Sequence, residues 1–206
     1  MRQKSSGAAP TPEPAIRSDA LAMPQYPSPH VKTPRLDLPL LSQELLDALA
    51  RGNAESAERL ASFELPASFD AEERELFALR HEQAKEPAWR PWSLRAIVLR
   101  EHGRMVGYAN FHGPPGVNDT GTPDALEIGY SIFPEFRRQG FATEAAQALL
   151  DFGRYGFGVT HFIAGILPTN APSIRVVEKL GFVRTPVVVE DELIFELRFS
   201  PGQRFM

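Results

Sequence analysis

Residues 126–145 read LEIGYSIFPEFRRQGFATEA, and this stretch narrows the possible folds more than any other. Leu126, Ile128, Tyr130 and Ile132 alternate with Glu127, Gly129 and Ser131, which is strand periodicity with two distinct faces. The run FATEAAQALLDFGRYGF that follows reads as a helix burying Ala142, Ala145, Ala146 and Leu149. Between them lies a basic turn, Arg137-Arg138-Gln139-Gly140, with no Ser, Thr, Asp or Asn where a helix cap belongs. The first turn of a helix leaves four N–H groups without intrahelical partners, so an acceptor has to come from elsewhere. A strand feeding a glycine-bearing basic turn and then a helix is the geometry in which backbone N–H groups converge on a phosphate. In that reading the ligand is the cap. Gly140 lets the backbone approach closely, Ala142 keeps a side chain out of the way, and Arg137 or Arg138 adds charge. Glu144 must then point away, because a carboxylate facing the anion would repel it. The plainer alternative is an exposed basic turn whose glycine serves only backbone freedom.

The flanking text fills in a mixed sheet. HFIAGIL is apolar on both faces, as in a buried parallel strand, so strand, helix and strand make a right-handed βαβ unit. SLRAIVLRE and RMVGYANFH, separated by His102 and Gly103, read as a hairpin, and GPPGVNDTGTPD as a loop. RLDLPLL suggests a short edge strand carrying Pro39. One helix runs through SQELLDALARG, capped by Ser42 and stopped at Gly52; a second starts at Asp70 and carries Leu76, Phe77 and Leu79. A helix near APSIRVVEKL ends at Lys179 and Gly181, and PVVVEDELIFELRF closes the chain as a hairpin. The fold class is α/β in the mixed α+β sense, a mostly antiparallel sheet with one parallel unit. Residues 1–32, with Pro10, Pro12, Pro14, Pro24, Pro27 and Pro29, read as a flexible or strapped-down tail ahead of one domain over residues 33–206. Trp89 and Trp92 are expected to pack as a lid over the core edge.

Composition then removes whole classes of function. A formal net charge of -4 disfavours a nucleic-acid partner, although a local basic patch can still hold phosphates. The absence of cysteine excludes disulfides and thiolate nucleophiles and fits a cytoplasmic protein. No apolar run approaches the roughly 18 residues of a membrane span, and no apolar segment follows the basic N-terminus, so no membrane partner is expected. The 5 histidines are scattered without metal-ligand spacing, so no metal is expected.

Other phosphate and nucleophile motifs fit worse. There is no G-x-x-x-x-G-K-S/T, the turn has a lone glycine where a dinucleotide fingerprint needs three, and GYSIF places Phe133 where a nucleophile elbow needs glycine. The pattern Arg/Gln-x-x-Gly-x-Gly/Ala, met here by Arg137, Gly140 and Ala142, resembles the phosphate signature of the GNAT superfamily of acyl-CoA-dependent N-acetyltransferases. LEIGYSIFPEFRRQGFATEA followed by NAPSIRVVEKLGF resembles the branch that includes the ribosomal-protein N-terminal acetyltransferases. The resemblance covers Thr33 to about Phe199 and is most specific over residues 126–182.

That resemblance implies a twisted sheet with helices on both faces, splayed at the parallel unit so that the pantetheine arm of acetyl-CoA lies in the gap. The arm would bond strand backbone near Ile132 and Phe133, and Gly129 would suit a bulge that starts the splay. The pyrophosphate would sit on the N–H groups of Arg138, Gln139, Gly140, Phe141, Ala142 and Thr143, and Asn170 would meet the cofactor arm, cap the next helix, or do both.

An acceptor amine is an ammonium ion at neutral pH and must lose a proton before it attacks the thioester. Glu127, on the strand lining the cleft, is the first candidate base, directly or through water; the bland reading is a structural partner. Backbone N–H groups around Tyr130 to Ile132 would steady the oxyanion. Many members of the family protonate the departing thiolate with a tyrosine seven residues after the asparagine, but here that position is Val177. Ser173 is the replacement the branch suggests, and Tyr130 a further candidate that is equally readable as core. His112 ends the second hairpin strand and is a base, an acceptor-site residue or, as most lone histidines are, neither. The expected function is acetyl transfer from acetyl-CoA to a primary amine, either a protein N-terminus or a small molecule, by a monomer or homodimer. An acyl-CoA-binding module without turnover is the alternative, made plausible by Val177.

Overall fold

The alternating run Ala125–Ile132 forms strand β5, the middle of an eight-stranded sheet in a computed structural model that describes residues 31–200. The other strands are β1 (Val31–Lys32), β2 (Leu36–Leu38), β3 (Arg95–Leu99), β4 (Arg104–Phe111), β6 (His161–Ile166), β7 (Val183–Val189) and β8 (Glu192–Arg198). Their spatial order is β1-β2-β3-β4-β5-β6-β8-β7, antiparallel throughout except for the parallel pair β5–β6.

Alternation along β3 sends residues to two cores. Ala96 and Val98, with Met105, pack under α1 (Gln43–Ala50), α2 (Ala54–Leu60) and α3 (Ala71–Gln83). Ile97, with Val106, Phe111, Leu126 and Ile128, packs under α4 (Phe141–Asp151) on the opposite face. Helices therefore cover both faces, as the apolar surface of each requires. Phe77 of α3 is fully buried, with ring centroids 4.9 Å from Phe69 and 6.1 Å from Tyr108. Burial of such a ring contributes about 2–3 kcal/mol. Ser42 caps α1 by accepting from Leu45 N–H at 3.1 Å, and Asp70 and Glu73 form a reciprocal capping box at the start of α3, at 2.8 and 2.9 Å.

Several local expectations change. The sequence reading contained no α2, which buries only Ala57 and so lacks an apolar stripe. Leu79 faces solvent, since α3 turns Phe77 and Arg80 inward instead. Trp92 is a core residue rather than a lid, 5.4 Å from Phe111 and 4.4 Å from Phe157. Past Asp151 the helical path widens into a π-type turn over Phe152–Gly156. Most of the proline-rich stretch lies outside the described residues, and within it Val31–Lys32 already pair with β2.

The sheet opens where it was expected to, but by another device. β4 and β5 stay in unbroken register from Phe111↔Ile128 to Gly107↔Ile132, so Gly129 carries no bulge. The opening arises because β5 and β6 pair only from Ala125↔His161 to Glu127↔Ile163. Beyond Glu127, β5 continues to Ile132 with no strand among the described residues on that side.

Candidate active site

The uncapped helix start is real. Gly140 precedes α4 with φ 83°, and no side chain among the described residues caps the first turn. Arg138 also lies in the left-handed region, at φ 63°. For a non-glycine residue this costs about 1–2 kcal/mol, strain that clusters at ligand-holding turns. Arg137 folds its Nε back onto the Ile132 carbonyl at 2.9 Å and so pins the end of β5 to the turn.

Beside this turn runs a groove of about 910 Å³. Of the sequence-derived candidates, Tyr130, Ile132, Arg137, Arg138, Gly140, Phe141, Ala142, Thr143, Asn170 and Ser173 all line it. Gln139 does not; its carbonyl accepts from Arg35 Nη1 at 3.0 Å. Phe133 does not either, because its ring joins the core under α1 and α3. Its backbone N–H donates to the Val106 carbonyl and its carbonyl accepts from Phe136 N–H, each at 2.9 Å.

Glu144 does not line the groove; Thr33 and Arg35 hold it on the other side of the turn. Its carboxylate accepts from the Thr33 hydroxyl and from Arg35 N–H at 3.1 Å, and it pairs with the Arg35 guanidinium at 2.6 Å. Burial alone would raise its pKa, but the bonds from Thr33 and Arg35 outweigh that and hold the carboxyl below its usual range.

At the other end of the groove, Asn170 caps α5 (Ala171–Lys179) by accepting from Ser173 N–H at 3.2 Å. The Ser173 carbonyl accepts from the Tyr130 hydroxyl at 3.3 Å, which ties β5 to α5 across the groove. Burial pushes the Tyr130 phenol up to about 12. Val177, on the inner face of α5, is fully buried.

The opposite side of β5 carries a second group of residues. Glu127 is 0% exposed. Its Oε2 accepts from Asp119 N–H at 2.8 Å, and its Oε1 meets no hydrogen-bond partner among the described residues. Burial raises its pKa. His112 Nδ1 lies 3.4 Å from Asp119 Oδ2 and 3.6 Å from Glu127 Oε2. Burial lowers the imidazole's pKa, and Asp119 opposes that shift. Arg80 of α3 anchors the end of β4 by donating to the His112 carbonyl at 3.0 Å, and burial pushes its own pKa down to about 10. One donor atom from each of His112, Asp119 and Glu127 falls within 4.8 Å of the others, a convergence that scattered sequence positions conceal. The signal that could have found it is the β4–β5 register, which sets His112 N–H on the Glu127 carbonyl at 2.9 Å.

The chain matches the acetyltransferase (GNAT) domain over residues 35–183, and it belongs to that family. It is 33% identical over 88 residues to the uncharacterized N-acetyltransferase YnaD of Bacillus subtilis, covering 43% of this chain and 48% of the relative. It is 28% identical over 156 residues to the uncharacterized N-acetyltransferase YjdG of the same organism, covering 74% of this chain and 89% of the relative. The matched stretch thus spans about half the length of YnaD and most of YjdG. Among solved structures, a putative GNAT-family acetyltransferase from Bordetella pertussis superposes with TM-score 0.58 at 24% identity, over 82% of this chain and 98% of that one. The ribosomal L7/L12 acetyltransferase RimL, in complex with coenzyme A, superposes with TM-score 0.55 at 15% identity, over 82% of this chain and 97% of that one. These likenesses establish the fold. No helix among the described residues is long and apolar enough to cross a membrane.

Proposed function

We propose that this chain transfers an acetyl group from acetyl-CoA to a primary amine by direct attack, with no covalent enzyme intermediate. The observation that carries the reading is the continuous groove from the unpaired edge of β5 to the uncapped first turn of α4. Phe141, Ala142 and Thr143 present N–H groups to a pyrophosphate, with Arg138 adding charge beside them. The bound coenzyme would supply the activated acetyl thioester. Its arm lies along Tyr130 to Ile132, where strand N–H groups hold the carbonyl oxygen as it becomes an oxyanion.

The ammonium of the acceptor has to give up a proton first. Glu127 provides the negative charge that favours this, but Asp119 covers it, so it works through a neighbouring group. The departing thiolate takes its proton at the Tyr130–Ser173 contact. Tyr130 stays protonated throughout the neutral range and so remains a donor there, a role that Val177 cannot supply.

A binding module without turnover is the competing reading, and Val177 is what favours it. Thiol release from acetyl-CoA separates the two when it is followed with spermidine, tyramine and a hexapeptide beginning in alanine. Amine-dependent release supports the transferase. Tight binding of acetyl-CoA with no release in any of the three supports the module.

A further inference from the structure

We propose that His112 is the general base that takes the proton from the acceptor amine, with Glu127 and Asp119 as positioning residues behind its ring; the inference rests on the transferase reading above. Glu127 has no exposed surface and one oxygen held by Asp119 N–H, so an amine cannot touch it in this arrangement. His112 Nδ1 lies 3.6 Å from Glu127 Oε2, and the same side chain reaches solvent, 31% exposed. A base that must receive a proton and then pass it to bulk water needs both contacts.

The ring is oriented for the task. Nδ1 faces two carboxylates, at 3.4 and 3.6 Å, so the proton sits on Nδ1 and the Nε2 lone pair is free. Nε2 points at Gly129 of β5: a Cβ there would stand 3.3 Å from Nε2 and 3.2 Å from Asn110 Oδ1. Glycine leaves that space open. The next residue along the strand is Tyr130, which lines the coenzyme groove, and β5 has no β6 partner at this point. Nε2 thus lies beside the strand that borders the gap, on the face of the sheet opposite α4.

The charges around the imidazole come from four elements. Asp119 lies on the 113–124 loop, Glu127 on β5, Arg80 on α3 and Glu192 on β8. Burial and Arg80 favour the neutral ring, while Asp119 and Glu192 favour the charged one. Burial prevails, which leaves a neutral imidazole ready to accept a proton at neutral pH.

Nε2 takes one proton from the ammonium, the freed nitrogen lone pair forms the C–N bond to the thioester carbonyl carbon, and the carbonyl pair moves to oxygen. Collapse re-forms C=O and breaks C–S. Tyr130 gives its hydroxyl proton to the thiolate and regains one from the former ammonium nitrogen, and the proton on His112 passes to water. The products are the acetamide, coenzyme A thiol and one released proton.

The test compares wild type, His112→Gln, Asp119→Asn and His112→Ala with the three amines named above. His112→Gln is expected to bind acetyl-CoA within about twofold of wild type while kcat falls about 100-fold or more, and to lose the acidic limb of kcat/KM. Asp119→Asn is expected to keep that limb and move it to lower pH, because a carboxylate that holds the imidazolium is gone. Free imidazole is expected to restore turnover in His112→Ala, which a purely structural histidine would not allow. A His112→Gln enzyme with wild-type kcat and an intact acidic limb overturns the assignment and leaves the transferase reading standing. A wild type that binds acetyl-CoA but acetylates none of the amines overturns both.

Discussion

Arg35 and Glu144 lie 109 residues apart in sequence and meet as a forked ion pair, with Arg35 Nε and Nη2 each 2.6 Å from Glu144 Oε2. The same guanidinium donates to the Gln139 carbonyl at 3.0 Å and stacks over the Phe141 ring at 4.7 Å. One side chain thus holds both ends of the phosphate turn and neutralises the acidic residue nearest it. The pair is partly solvated, so its worth to global stability is small, about 1 kcal/mol or less. Arg35→Met should leave the melting temperature almost unchanged yet raise Kd for acetyl-CoA about three- to tenfold, measured by titration calorimetry. An unchanged Kd would show that the turn keeps its shape unaided.

Ala142 is half-buried and lines the groove beside the N–H groups of the first α4 turn. Ala142→Trp should fill that space and weaken acetyl-CoA binding by more than about 100-fold, roughly 3 kcal/mol, with the circular dichroism spectrum intact. Retained affinity in a folded variant would place the nucleotide elsewhere.

Burial holds the Glu127 carboxyl above its unfolded value of 4.5. The folded state therefore binds the proton more tightly than the unfolded chain. The stability this provides is fully present below the unfolded pKa and is lost as pH rises through the folded one. At neutral pH the buried charge is a net cost, so Glu127→Gln should melt higher than wild type at pH 7, with the difference shrinking below about pH 4.5. Melting curves across that range check it, and a variant that melts lower at pH 7 would refute it.

Asn170 caps α5, and removing such a cap costs about 1 kcal/mol. Asn170→Ala should lower the melting temperature by about 2–4 °C in a domain of this size. Calorimetry that shows no change would mean that the cap contributes nothing and would leave Asn170 with a ligand role alone.

What could be read in the sequence was whatever local chemistry enforces. The strand–turn–helix run 126–151 and the caps at Ser42 and Asp70 follow from periodicity and capping between near neighbours. The features that stayed hidden depend on register and distance. Arg35 reaches Glu144 only because β2 is placed beside the start of α4. His112 meets Glu127 only because the 113–124 loop closes the β4–β5 hairpin in one register, and the same loop brings Asp119 over the carboxylate. Phe133 directly follows the groove-lining residues Tyr130, Ser131 and Ile132, yet its ring is taken up by the core under α1 and α3, which is built from residues distant in sequence. The helix α2 escaped notice because a 7-residue segment with one buried alanine has no periodicity to detect.

The central claim is that backbone amides at the start of α4 grip the diphosphate of the coenzyme. A crystal structure with acetyl-CoA bound tests it most directly. Pyrophosphate oxygens are expected about 3 Å from the amide nitrogens of Phe141, Ala142 and Thr143, with the acetyl carbonyl in the gap beside Tyr130. A structure with those amides turned to protein or bare to solvent, and the nucleotide held at another surface, would contradict it.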